Sequence, residues 1–203
     1  MNPTEPNPAD LNAIATDDIT GINTPPQPPQ NLGTFLDRLY GTLFLPQATF
    51  EQLKANPAFP QAAIVVALVN ILETLRLDQL TIYRIVWSAI GGIIGWVFFT
   101  FLLKQLASVF QKQVTMLELL TLTGFASLPW LFMAPALSLP SQSRFLAGIA
   151  VIIWFVIWQV WSASVALGIK RLKTLAIVPL AIAGGVVALI WLGNAIKLLI
   201  SIS

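Results

Sequence analysis

Residues Leu117 to Leu139, LELLTLTGFASLPWLFMAPALSL, decide the fold. This stretch of 23 residues holds one acid near its start and two prolines, Pro129 and Pro135. A helix of about 20 apolar residues crosses the hydrocarbon core of a bilayer. A proline inside a helix removes one backbone hydrogen bond, and polar or small neighbours near Gly124 can help to satisfy the freed carbonyl. We therefore predict a transmembrane helix that is bent at Pro129, and the bend either shapes the bundle or lines a site.

The composition of the whole chain agrees with this interpretation. The 203 residues are 56% hydrophobic and only 10% charged, with a mean hydropathy of +0.78, whereas soluble domains average about 25% charged residues. Five blocks are long enough to cross a membrane, and they cover residues 61–80, 84–103, 117–139, 145–169 and 174–197. The sequence therefore predicts an all-α fold, a polytopic membrane helical bundle of five transmembrane helices within residues 61–203.

Two residue types that build reactive sites are missing from the chain. There is no cysteine, which excludes disulfides and thiolate metal ligands, and no histidine, the usual zinc ligand and the commonest general base. The basic residues form no run that is typical of a nucleic-acid patch. We predict no catalytic, metal or cofactor site and no nucleic-acid partner. The expected partners are the lipid bilayer and either another membrane protein or a second copy of the chain.

Two segments precede the first span. Residues 1–33 hold seven of the fourteen prolines and no Lys or Arg, so we predict a disordered, Pro-rich tail that acts as a tether or, less simply, as a ligand for an aromatic groove. Residues 34–60 form a short amphipathic interfacial segment, predicted as two short helices that are interrupted at Gly41 and Pro46. This segment is expected either to lie in the lipid interface or to pack against the bundle.

The first span carries a polar group of residues in its second half, Asn70, Glu73 and Arg76. Glu73 and Arg76 are three residues apart, so they can pair on one helix face. Charged residues inside a membrane often contact a coupling ion or a substrate. They can equally form a structural pair that reaches the interface. Both interpretations stay open at this point.

The second span carries no charge from Ile85 to Leu103 and contains a small-xxx-small pattern at Gly91 and Gly95. Such a pattern lets helices approach closely in lipid. Packing within one chain is favoured over a dimer interface. The fourth span is rich in tryptophan, and Trp158, which lies near its middle, is expected to pack against another helix.

The charges between the spans predict the orientation. With a cytoplasmic N-terminus, seven Lys or Arg residues lie on the cytoplasmic side and four on the other. The positive-inside rule therefore favours a cytoplasmic N-terminus.

Two motifs resemble those of a known family. The segment Leu43 to Leu53, LFLPQATFEQL, is similar to a proline-x-x-x-phenylalanine pattern ahead of the first span, and Glu118 to Pro129, ELLTLTGFASLP, to a Gly-aromatic-Ala-x-x-Pro pattern in the third. With these motifs the chain resembles the Yip family (Ypt/Rab-interacting proteins), which implies five spans, a cytoplasmic N-terminus and a prokaryotic-type member. Eukaryotic members carry an aspartate-leucine-tyrosine-glycine-proline motif. Residues 37–42 read DRLYGT here, so Rab binding is not carried over.

Three functional hypotheses follow. The first, favoured by the tail and by the resemblance, is a non-enzymatic integral membrane protein that acts in membrane organisation, trafficking or the assembly of membrane complexes, in a prokaryotic cell membrane. The second is a small transporter or channel subunit that uses Glu73, Arg76 and the helix kinked at Pro129. The third is an intramembrane enzyme. A serine–histidine protease is excluded because there is no histidine, and a paired-aspartate protease because the five predicted spans hold a single aspartate, Asp78.

Overall fold

A computed structural model describes residues 31–76, 81–109 and 113–185, and no strand occurs within these ranges. The helices in chain order are α1 (Leu32–Phe44), α2 (Pro46–Ala55), α3 (Phe59–Arg76), α4 (Ile82–Val109), α5 (Met116–Phe125), a 3₁₀ helix (Leu128–Phe132), α6 (Met133–Leu137), α7 (Ser141–Leu167) and α8 (residues 171–185). The predicted all-α class is confirmed for the described part of the chain.

Within the described residues, four helical segments are long and apolar enough to cross a membrane. They are α3, α4, the interrupted helix Met116–Leu137 and α7, and they coincide with the first four predicted spans. The protein is therefore a multi-pass membrane protein. The predicted fifth span is not confirmed, because α8 is described only as far as residue 185 and the remainder of that span lies outside the described residues. Nearly all of the predicted tail, residues 1–30, also lies outside them.

α4 extends beyond its predicted apolar block at both ends, and α7 begins before its block. α4 continues to Val109 because Lys, Gln, Leu and Ala, which all favour helices, follow its apolar part. α7 begins at Ser141, where the carbonyl of Pro140 accepts hydrogen bonds from the amides of Ser143 and Arg144, both 2.9 Å long. It ends at Leu167, and the next residue, Gly168, has a left-handed φ of 59°, a conformation that glycine adopts at no steric cost.

α3 does not reach the end of the bundle where α4 ends, and α1 and α2 pack at that end instead. Phe59, the first residue of α3, stacks on Trp96 with ring centroids 5.8 Å apart. From Trp96, α4 continues to Val109, a further 20 Å or so at 1.5 Å per residue. Phe50 and Leu53 of α2 are fully buried there, in the core cluster that also holds residues of α3, α5 and α7. The segment ahead of the first span therefore packs against the bundle.

The two helices of this segment form a tight hairpin. α1 runs through Gly41, so the predicted interruption at that residue does not occur, and the chain breaks only at Leu45 before Pro46 starts α2. Gly41 instead faces the hydroxyl group of Thr49, and a Cβ there would collide with it. The outer face of α1 is also apolar, because Leu32, Leu36, Tyr40 and Phe44, spaced four residues apart, are each more than half exposed. A surface of this kind suits contact with lipid.

Candidate functional site

The helix that contains Pro129 is broken rather than smoothly bent. α5 ends at Phe125, and the amide of Ser127 donates to the carbonyl oxygen of Gly124 at 3.2 Å, three residues back instead of four. The 3₁₀ helix follows, with Pro129 in its first turn, where a missing N–H costs no hydrogen bond. This tightening leaves the carbonyl of Thr123, the usual partner of the Ser127 amide, without a donor from its own helix.

A glutamine from α7 satisfies the freed carbonyl. Gln159 Nε2 donates to the carbonyl oxygen of Thr123 at 3.2 Å, and the Gln159 side chain is almost completely buried. The orientation of this amide follows from the contact, because only its nitrogen can face a carbonyl oxygen. Gln159 Oε1 consequently points elsewhere, and it accepts no hydrogen bond from the described residues.

The side chain of Thr123 joins a second buried group of hydrogen bonds. Its hydroxyl donates to the carbonyl of Leu119 at 2.7 Å and accepts from Trp96 Nε1 at 3.0 Å. The hydroxyl of Thr100 lies 3.1 Å away and also reaches the carbonyl of Trp96 at 2.8 Å. Because buried polar groups without partners are costly, these contacts hold α4 against α5, and the Gln159 hydrogen bond adds α7 to the same arrangement.

We call the group formed by Trp96, Thr100, Thr123 and Gln159 the polar centre. A cavity of about 310 Å³ adjoins it. We call it the central cavity; α3, α4, the interrupted third span, α7 and α8 all contribute to its wall. Apolar side chains such as Val66, Phe99 and Phe155 form much of the wall, and Asn70, Ser127 and Gln159 are among its polar members. None of the described lining residues is titratable. The cavity therefore offers an apolar space with neutral polar groups and no acid or base for catalysis.

The structure separates the polar residues that were predicted together in the first span. Asn70 lines the central cavity, and its Nδ2 donates to the carbonyl of Val66 at 2.8 Å. Glu73 and Arg76 form the expected ion pair on one helix face, with about a third of each side chain exposed. Neither belongs to the described lining of the cavity. Asn70 thus shares a site with the broken helix, whereas the charged pair does not.

The glycines singled out by sequence differ in their surroundings. A Cβ on Gly124 would lie 2.8 Å from the Cβ of Ala62 and 2.9 Å from the ring of Trp96, so α3, α4 and α5 meet closely there. A Cβ on Gly91 or Gly95 would meet no atom within 4 Å. The close approach between α3 and α4 uses Gly92 instead, which faces the Asn70 side chain. Packing at Gly91 and Gly95 within the chain is thus not seen among the described residues.

Sequence reasoning missed three residues of the polar centre. Trp96, Thr100 and Gln159 received no role, although Gln159 is a rare amide in an apolar span. That rarity was the available signal, since an amide in lipid requires a partner. Nothing local in the sequence marks Trp96 and Thr100, because their partner Thr123 lies on another helix.

Polar contacts also fasten the α1–α2 hairpin to α7. Trp158 Nε1 donates to the carbonyl of Thr42 at 2.7 Å. Lys54 Nζ donates to the carbonyls of Val165 at 2.8 Å and Ala166 at 3.1 Å. These carbonyls belong to the last turn of α7, where a positive charge interacts favourably with the negative end of the helix dipole.

Two arginines add further contacts to the hairpin. Arg171 stacks over the Trp161 ring, 4.7 Å from its centroid, and donates to Gln47 Oε1 at 2.8 Å. Arg38 in α1 donates to Gln61 Oε1 at 2.6 Å, and burial lowers the pKa of Arg38 from its ordinary value. Its guanidinium stays charged at neutral pH, because an arginine does not lose its proton in proteins. The hairpin is thus joined to α3 by Arg38 and to the start of α8 by Arg171.

The Yip1 domain model matches residues 40–193, about three quarters of the 203-residue chain. The chain belongs to the Yip1 domain family. The resemblance inferred from the sequence motifs is therefore confirmed. No curated protein and no solved structure matches the chain.

The Yip1 domain contains nearly all of the features described above. Its matched range begins at Tyr40, inside α1, and includes α2, the broken helix and every described residue that lines the central cavity. The contacts of Thr42 and Lys54 with α7 also fall within it. Membership in this family agrees with an integral membrane helical bundle. Within the described residues, no three His, Cys, Asp or Glu side chains come together as metal ligands.

Proposed function

We propose that this Yip1-domain protein is a non-enzymatic scaffold of a prokaryotic cell membrane, with its N-terminus in the cytoplasm, that organises the membrane or assists the assembly of membrane complexes. The observation that carries the proposal is the packing of the α1–α2 hairpin on the bundle. Phe50 and Leu53 are fully buried, and Lys54 caps the last turn of α7. The hairpin is therefore part of the folded membrane domain.

This attachment matters because of what precedes α1 in the chain. Residues 1–30 are polar and rich in proline, a composition that favours binding to partners over folding alone. They are connected to a helix that contacts the bundle on one face and presents apolar side chains on the other. A partner bound by this segment would be held close to the membrane domain. An effective concentration raised in this way is how a tether promotes assembly.

The charged pair does not support the transporter hypothesis. Glu73 and Arg76 satisfy each other on the partly exposed side of α3, and neither is a described residue of the cavity wall. A substrate in the central cavity would meet neutral groups there. We therefore propose no transport function.

The scaffold proposal is tested by crosslinking in native membranes. Cells expressing the full chain are compared with cells expressing a chain in which residues 2–30 are shuffled, which keeps length and composition. We expect the full chain to crosslink to a membrane-associated partner and the shuffled chain to lose that crosslink while reaching the membrane in equal amount. The same crosslinks from both chains would refute a scaffold role for this segment. Solute flux into liposomes that requires Glu73 would instead support a transporter.

A further inference from the structure

The central cavity has the size and lining of a binding site for an apolar molecule. Its volume of about 310 Å³ is roughly ten times the ~30 Å³ that one molecule occupies in liquid water. Phe98, Phe99, Trp130, Phe155 and Ile182 contribute apolar surface to its wall. Ligand sites in proteins are typically apolar spaces of this kind with a small number of polar groups that orient the ligand.

Two side-chain oxygens at this cavity can accept a hydrogen bond from a bound molecule. Asn70 Nδ2 donates to the carbonyl of Val66, and no described residue donates to Asn70 Oδ1. The hydroxyl proton of Ser127 is directed to the Gly124 carbonyl at 2.6 Å, which leaves its oxygen to accept. Gln159 Oε1 also has no donor among the described residues, but it is completely buried and out of the reach of a ligand. A molecule that carries a hydrogen-bond donor therefore suits the oxygens of Asn70 and Ser127.

The donor that fits is neutral. None of the described lining residues carries a charge, so an ammonium group would enter the cavity without a counter-ion. An unpaired charge among buried apolar groups is far more costly than a neutral group that makes a hydrogen bond. A hydroxyl group meets this requirement, and the apolar wall requires the rest of the molecule to be hydrocarbon.

We infer that the central cavity binds a lipid alcohol, with its hydroxyl group donating to Asn70 Oδ1 and one alkyl chain lying against the aromatic wall. A cavity of this volume holds a segment of one chain and not two chains side by side. The inference is independent of the scaffold proposal, because it concerns the spans and not residues 1–30.

Photolabelling tests the inference on the full chain in lipid nanodiscs. The first probe is hexadecanol that carries a diazirine and a terminal alkyne, and the second is its methyl ether, which keeps the chain and lacks the O–H group. We expect the alcohol to label the protein about fivefold more than the ether, the difference that one hydrogen bond makes, and the labels to map to residues 92–99 and 155–159. A two-chain diacylglycerol probe should label these residues weakly, which distinguishes the two sources of a lipid hydroxyl.

The chain offers a matched pair of variants for the same assay. Gly95 lines the cavity and has open space in front of its Cβ, so Gly95→Leu fills the cavity without a backbone clash. Gly91 lies about one turn earlier, has the same open space and is absent from the described lining, so Gly91→Leu makes the same chemical change elsewhere. We expect labelling to fall at least fivefold in Gly95→Leu, by the lost hydrogen bond alone, and to stay at the wild-type level in Gly91→Leu.

Several results would overturn the inference. Equal labelling by the alcohol and the ether would show that no donor is recognised, and labelling confined to lipid-facing residues such as Ile90 and Ile94 would show that the cavity is not the site. Undiminished labelling of a folded Gly95→Leu protein would also show that the cavity is not the site. Should this variant fail to fold, the comparison of the two probes on the wild-type chain decides the question. Absence of labelling by every probe would leave water as the occupant and refute the lipid site.

Discussion

The contact at Gly124 yields a quantitative prediction for the substitution Gly124→Ala. The new Cβ would lie 2.8 Å from the Cβ of Ala62 and 2.9 Å from a ring carbon of Trp96, whereas carbon atoms in contact prefer about 3.5–4.0 Å. Rotation of a side chain cannot relieve the first contact, because a Cβ atom is fixed to its backbone. The backbone oxygen of Ala62 is also near, at 3.2 Å. α3 and α5 must therefore separate by roughly 1 Å.

The expected cost follows from two opposing effects. Overpacking of this size destabilises by about 1–3 kcal/mol, while replacing glycine by alanine inside a helix stabilises by about 0.5–1 kcal/mol. Gly91→Ala is the matched control, since its Cβ would meet no atom within 4 Å and only the stabilising effect remains. The difference in free energy of unfolding between the two variants therefore isolates the steric cost, about 1–3 kcal/mol.

The assay is unfolding of the purified protein in mixed micelles by increasing amounts of sodium dodecyl sulfate. The chain has seven tryptophans and no cysteine, so intrinsic fluorescence reports unfolding and thiol-reactive dyes cannot. We expect Gly124→Ala to unfold at a lower detergent fraction than the wild type and Gly91→Ala at the same or a higher one. Equal stabilities within about 0.5 kcal/mol, the error of additivity between independent sites, would refute the close approach of α3 and α5.

Three further substitutions test other contacts. Gln159→Leu removes the donor to the carbonyl freed by the helix break, so we expect a loss of about 1–3 kcal/mol in the same assay. Lys54→Met keeps the apolar stem but removes the ammonium group that caps α7, so we expect a loss of about 1–2 kcal/mol and faster hydrogen exchange in the last turn of α7; the exposed Lys104 supplies the control, Lys104→Met. Gly92→Ala directs its methyl group into the side chain of Asn70, so its cost should fall by about 1 kcal/mol or more when Asn70→Ala is also present.

Each of these expectations has a contrary outcome. Unchanged stability of Gln159→Leu would mean that the carbonyl has another donor. Equal effects of Lys54→Met and Lys104→Met would show that the cap on α7 contributes nothing. If the costs of Gly92→Ala and Asn70→Ala simply add, the two residues are not in contact.

Local patterns in the sequence were enough to predict the helical class, four of the spans and the family. Pro46 starts α2 as expected because a proline has no N–H group to lose at the first position of a helix. The interruption expected at Gly41 was wrong because a glycine weakens a helix by only about 1 kcal/mol, and the absence of a side chain at Gly41 allows the close approach of Thr49. The end of the fifth span lies outside the described residues, so the count of five stays a prediction.

The polar centre was only partly predictable. Pro129 and Gly124 were recognised as exceptional because a proline and a glycine change the backbone itself, and such effects are local. Gln159 was visible as a polar residue in an apolar span, but its partner was not, since the carbonyl of Thr123 lies 36 residues away along the chain. The pairing of Lys54 with α7 spans more than a hundred residues.

The sequence by itself determined that this chain crosses a membrane as helices, because hydropathy is a property of each residue and simply accumulates along a span. It determined the ion pair of Glu73 and Arg76 for a similar reason, since three residues along a helix bring two side chains to one face. Only the tertiary structure decided which polar groups meet, that α1 and α2 complete the bundle, and that a cavity remains beside Asn70 and Gln159. Those outcomes depend on how several helices pack together. An apolar helix face can pack against many different helices, so the sequence pattern does not specify the neighbour of each helix.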